Sequence, residues 1–143
     1  MTRASFLFLS QEDVVAAGGL DVEATIDVVE EALRFHAEGD TRLPKKSALL
    51  WSDDPGNEET RGRIMAMPAY VGGSIGLAGM KWIPSVPSNP SGLPRGIGLI
   101  VLSDPETGLP VAIMDGTIAS ASRTRSAASP PGSSRRRRAA TPP

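Results

Sequence analysis

At 143 residues, with 40% hydrophobic and 22% charged side chains, the chain has room for one domain with a core and not for two full-sized ones. It has no cysteine and one histidine, His36, which excludes a disulfide framework and a thiolate metal site and leaves no clustered ligand set for zinc. Its net charge of −1 hides an asymmetry: residues 1–115 carry 9 basic and 16 acidic side chains, whereas residues 116–143 carry 6 basic and none acidic.

Ser5 to Leu9 reads as a short strand. Ser10-Gln-Glu-Asp13 has the form of a capping box, so a short helix starts there and ends at Gly18-Gly19. Asp21 can cap the next helix, in which Val22, Ile26, Val29, Leu33 and His36 recur at helical spacing; Gly39 ends it. Leu43 to Leu50 and Arg63 to Tyr70 read as strands joined by the acidic loop Ser52 to Thr60, and Ile75 to Ile83 as a third strand. Pro84 to Pro94 holds four prolines and reads as a stiff loop. Ile97 to Ser103 and Val111 to Met114 flank the turn sequence Asp104-Pro-Glu-Thr-Gly108, a hairpin signal. Asp115 or Thr117 can cap a last helix near Ile118. Helices first and strands after favour an α+β layer over alternating βαβ units. From Ser129 onward only Ser, Pro, Gly, Arg, Ala and Thr occur, a composition expected to be disordered.

No apolar run approaches the roughly 20 residues of a membrane helix. The N-terminal MTRASFLFLSQED is too short in its apolar part for a signal peptide, so a cytoplasmic location is expected. Trp51, Tyr70 and Trp82 are too scattered for a base-stacking platform, and Arg135 to Arg138 stand without aromatic neighbours, so a nucleic-acid partner is not expected. The glycines spell neither GxGxxG nor a P-loop. His36 has no orienting partner near it in sequence and reads as a half-buried packing residue rather than a base.

Three cations stand at the ends of apolar runs. Lys81, inside GMKWIP, must snorkel, pair or face a cavity, because burying a bare ammonium is costly. Arg123 lies early in the last helix, where a further positive charge is unfavourable unless an anion is present; a guanidinium also suits bidentate carboxylate contacts. Arg95 closes the proline loop. Lys45 and Lys46 begin a strand and point to opposite faces. Taken singly, each has a bland reading as a solvated surface charge.

Together, FLSQEDV, MAMPAYVGG, GMKWIPSVPSNPSGLPRG, LSDPETGLPVAIMDGT and SASRT, in this order, resemble the ornithine cyclodeaminase/mu-crystallin family from about Phe6 to Thr124. KWIPSVPSN, GLPR and SASRT look closest to the branch that makes 2,3-diaminopropionate by oxidising N-(2-amino-2-carboxyethyl)-L-glutamate with NAD. The resemblance implies a mixed sheet with helices on one side that binds substrate and forms a homodimer through the sheet. It also implies an oxidation of an amino-acid Cα–N bond to an imine, which is hydrolysed or cyclised. By position, Lys81 matches the family's catalytic, substrate-contacting lysine. Arg123 matches the arginine that contacts both substrate carboxylate and cofactor. Lys46 falls where cyclodeaminases carry an arginine after a proline, and Arg95 where they carry a threonine near the cofactor. A further arginine suits a substrate with more than one carboxylate.

Two departures stand out. Arg125 replaces a small residue of a packed helix, and the family's Rossmann domain does not follow Thr124. The expectation is a truncated or frameshifted member with a substrate-binding and dimerisation domain at 1–128, a disordered tail at 129–143, and no catalysis by itself. The alternative readings are a non-catalytic binding or dimerisation module, or an ornithine cyclodeaminase.

Overall fold

A computed structural model of the chain describes residues 5–52, 61–90 and 92–121. β1 (Leu7–Leu9) leads into α1 (Gln11–Ala16) and α2 (Val22–Ala37), and six strands follow: β2 (Thr41–Arg42), β3 (Ser47–Trp51), β4 (Gly62–Val71), β5 (Leu77–Ser85), β6 (Leu99–Ser103) and β7 (Pro110–Asp115). The acidic loop 53–60 and the residues from Ser122 onward, tail included, lie outside the described residues.

Both helix starts follow from their caps. The Ser10 hydroxyl accepts from the Asp13 amide at 3.2 Å, and the Asp13 carboxylate accepts from the Ser10 amide at 2.8 Å. The Ser10 hydroxyl and amide, in that order of effect, hold the Asp13 carboxyl below its ordinary 3.8. Asp21 accepts from the Ala24 amide at 3.0 Å and opens α2. Beyond α2, Gly39 takes φ +81°, a left-handed turn that a side chain would strain.

The sheet runs β1-β7-β6-β5-β4-β2, with β3 also paired to β4. β1 pairs parallel to β7 and every other pair is antiparallel, so the sheet is mixed as expected. Of the strand read from Leu43 to Leu50 only the part from Ser47 onward forms, as β3, and the short β2 precedes it. β3 pairs with β4 from Ser47↔Ala66 to Trp51↔Gly62, and β2 pairs with it at Thr41↔Val71 and Arg42↔Tyr70. Pro68 sits in the gap between these ladders, so its missing N–H falls on a stretch of β4 whose outer edge is unpaired. Pro84, read as the start of a loop, lies within β5 opposite Ile64. The β6 ladder has already ended at Trp82↔Leu99, so here too proline stands where the strand has one neighbour. The β6–β7 hairpin closes as read. The Asp104 carboxylate accepts from the Glu106 amide and the Thr107 hydroxyl, both at 2.8 Å, and Gly108 takes φ +70°.

Helix α2 packs differently from the stripe expected of it. Leu33 is 60% exposed and His36 is exposed, its Nδ1 at 2.8 Å from the Thr41 hydroxyl, whereas Phe35 is 6% exposed. The helix meets the sheet near its C-terminal end, where the Phe35 ring occupies the space a side chain on Gly73 would fill. Gly73 also takes φ +57°, so two constraints favour glycine there. Farther up, helices and sheet stand apart around a cavity of about 600 Å³, lined by Val14, Val28 and Ala32 from the helices and by Val71, Lys81 and Ile100 from the sheet. The apolar core is therefore thin: among the described residues only Val14, Phe35 and Ala112 are buried hydrophobics.

Candidate carboxylate site

Alternation along the strands places the cations. Side chains of directly opposed residues share a face. Met67 opposes Lys81, Lys81 opposes Ile100, and Ile100 opposes Met114. This row faces the helices, since Lys81 and Ile100 line the cavity beneath α2. Lys81 is half-buried at the centre of the sheet, with aliphatic neighbours across both ladders. One step along, Ala69 opposes Gly79, and these small residues help floor a further hollow of about 270 Å³ beside Lys81. An ammonium between apolar walls attracts an anion more strongly than one in bulk water, because the local dielectric is lower.

Lys46 precedes β3 by one residue. The ladder itself ends at Ser47↔Ala66; carried one residue further, its register would set Lys46 opposite Met67, on the face and in the row of Lys81. Two strand spacings, about 10 Å, separate the two lysine backbones. Lys46 is exposed, so it offers a mobile rim charge against the fixed Lys81.

Arg95 reaches the same face from the loop after β5. Its carbonyl accepts from the Val86 amide at 2.8 Å, and its Nε donates to the Ser85 hydroxyl at 3.0 Å. Ser85 lies four residues beyond Lys81 on β5, hence on the same face and about 13 Å along the strand. Arg95 and Lys81 thus mark two ends of a groove rather than one point. Sequence reasoning passed over Arg63, which opposes Ser85 and lines a hollow of about 210 Å³ with Ser85 and Arg95. The available signal was parity: Arg63, Met65 and Met67 alternate onto one face, and Met67 stands beside Lys81. Arg123 lies outside the described residues. The helical turn that leads to it begins at Thr117, whose amide donates to the Asp115 carboxylate at 2.9 Å.

The matching family model is that of the ornithine cyclodeaminase/mu-crystallin family, and it covers residues 6–132. The chain belongs to this family. It is 40% identical over 120 residues to N-((2S)-2-amino-2-carboxyethyl)-L-glutamate dehydrogenase of Staphylococcus aureus, covering 82% of this chain and 35% of that protein. It is 38% identical over 122 residues to alanine dehydrogenase of Archaeoglobus fulgidus, covering 85% of this chain and 34% of the relative. Among solved structures, an archaeal alanine dehydrogenase dimer with bound NAD superposes with a TM-score of 0.72 at 37% identity, over 85% of this chain and 34% of that one. The chain therefore spans about a third of the length of the relatives it matches. The chain itself has an α+β fold with one mixed sheet, and that fold superposes on the archaeal alanine dehydrogenase.

The described residues do not fit a dinucleotide by themselves. Their strand-to-helix junctions, at Ser10 and at Gly116, hold a single glycine rather than a glycine-rich turn. They contain no group of three or more metal-ligating side chains, and no described helix is long and apolar enough to cross a membrane.

Proposed function

We propose that the chain is the amino-acid-holding part of an NAD-dependent oxidoreductase or cyclodeaminase that acts on an amino-acid Cα–N bond. Its substrate belongs to the 2,3-diaminopropionate route, N-(2-amino-2-carboxyethyl)-L-glutamate or a close analogue. One observation carries this reading: Lys81 stands half-buried between aliphatic neighbours at the floor of a cavity, in line with Lys46 and on the face that Arg95 joins. Lys81 fixes the α-carboxylate, Lys46 adds rim charge, and Arg123 completes the clamp from the last helix. Holding the carboxylate still fixes where the Cα–H points, which is the largest service a binding residue renders to a hydride transfer. A bound NAD supplies the acceptor for that hydride. Arg95 and Arg123 are the residues of this chain we assign to its side of the site.

The described residues serve to hold the amino acid, since they offer no dinucleotide cradle of their own. The chain dimerises through the sheet. The face opposite Lys81 carries Leu49, Trp82, Val101 and Ile113 with no described helix upon it, and Leu49 is 62% exposed.

Calorimetric titration of the chain tests this reading. N-(2-amino-2-carboxyethyl)-L-glutamate binds, and Lys81→Met weakens it by about 10- to 100-fold, the loss of one charge-assisted contact. NAD alone gives no heat. Unchanged affinity in the Met variant removes Lys81 from the site, and tight NAD binding by the wild-type chain removes the division of labour.

A further inference from the structure

We propose that Arg63 and Arg95 form a second anion subsite, distinct from Lys81, that takes the distal carboxylate of the amino acid. This rests on the reading above, that the same face holds an amino-acid substrate. Arg63 stands at the start of β4 directly opposite Ser85, and the Ser85 hydroxyl accepts from Arg95 Nε at 3.0 Å. Arg63 and Arg95 both line one hollow of about 210 Å³, with Leu50, Gly62, Ser85 and Pro87. Neither forms an ion pair with a carboxylate of the described residues. Two like charges at one concave spot repel each other until an anion stands between them, and a carboxylate offers two oxygens to two planar donors. Register places Arg63, and a hydrogen bond places Arg95, at the same serine.

Position decides what this subsite reads. Arg63 and Ser85 share the face of Lys81 but lie about 13 Å from it along β5. A carboxylate held by Lys81 cannot also reach the arginine pair. A ligand that bridges them needs carboxylates several bonds apart, as in a di- or tricarboxylic amino acid. Alanine, with one carboxylate, reaches only the Lys81 end. Arg63 is thereby a specificity residue: it selects side chains that end in a carboxylate and contributes nothing to an amino acid without one.

The test uses the 143-residue chain and its Arg63→Gln, Arg63→Lys and Arg95→Gln variants, titrated with N-(2-amino-2-carboxyethyl)-L-glutamate, L-alanine and tricarballylate. Arg63 is exposed, so these changes leave the fold intact, and thermal melts verify it. The expected result is that Arg63→Gln weakens both tricarboxylates about tenfold or more and leaves alanine within about twofold. Arg63→Lys recovers part of the loss, since it keeps the charge without the fork. The subsite is overturned if the glutamine variants bind the tricarboxylates like wild type, if alanine weakens equally, or if the wild-type chain binds neither tricarboxylate. Arg63-dependent binding of tricarballylate with none of the amino acid keeps the subsite and removes the amino-acid reading. Amino-acid binding that ignores both arginines does the reverse.

Discussion

Replacing Phe35 with alanine unfolds this domain more readily than any other single truncation in it. Phe35 is 6% exposed and is one of three buried hydrophobic residues among those described. Its ring is what fastens α2 to the sheet, lying in the space left by Gly73. Truncating a buried phenylalanine costs about 3–5 kcal/mol. So few buried neighbours surround it that they can relax into the gap, which favours the lower end, about 3 kcal/mol. A domain of this size has about 5–15 kcal/mol in all, and so thin a core places this one near about 5. The variant therefore keeps less than half of its stability and melts about 10 °C lower. Urea unfolding followed by circular dichroism measures this directly. Gly73→Ala sharpens the test, because its Cβ would displace the same ring and φ +57° disfavours a side chain. Made in the Phe35→Ala background, the alanine costs only its backbone strain, about 1–2 kcal/mol. A loss below about 1 kcal/mol for Phe35→Ala, or strict additivity of the two changes, refutes the idea that this contact docks the helix.

Acid weakens two local structures. The Asp13 carboxyl is held low by the Ser10 hydroxyl and amide, and the Asp104 carboxyl by the Glu106 amide and then the Thr107 hydroxyl. Depressed folded values mean that both contributions are complete above the unfolded value and are lost as pH falls through the folded one. NMR titration is expected to place both below their ordinary 3.8, and values at or above it contradict the capping geometry. Leu49→Asp, on the bare face of β3, is expected to give monomers in sedimentation equilibrium where wild type gives dimers; a dimeric variant moves the interface elsewhere. Lys46→Gln is expected to weaken amino-acid binding only about threefold, since an exposed charge is screened by water and salt. A loss as large as that of Lys81→Met makes Lys46 a fixed ligand instead.

Much of this fold was legible because its boundaries are made by short-range chemistry. Ser10 with Asp13, Asp21, Gly39 and the Asp104–Gly108 turn each satisfy or end backbone bonding within a few residues, so local sequence states them. Tertiary placement was less visible. The apolar period of α2 marks a greasy face, but what is buried depends on where the sheet offers a hole, and that hole is Gly73, far along the chain. Pro84 misled for a related reason: it read as the start of a loop, yet like Pro68 it lies where its strand lacks a neighbour on one side. Lys81 and Arg95 stand within family segments and Lys46 was singled out by position; strand parity sets Lys81 and the Arg95 partner Ser85 on one face. Arg63 had the same parity but no such segment, and only its register with Ser85 reveals it.

The central claim is that the helix-side face of the sheet holds an amino-acid carboxylate at Lys81. Its most direct test is an amide chemical-shift map of the chain titrated with N-(2-amino-2-carboxyethyl)-L-glutamate. The account predicts saturable shifts along Met67, Lys81 and Ile100 and again at Arg63, Ser85 and Arg95, lost in the Lys81 row when Lys81 is methionine. Shifts confined to residues of the opposite face, such as Leu49 and Val101, or no saturable shift at all, contradict it.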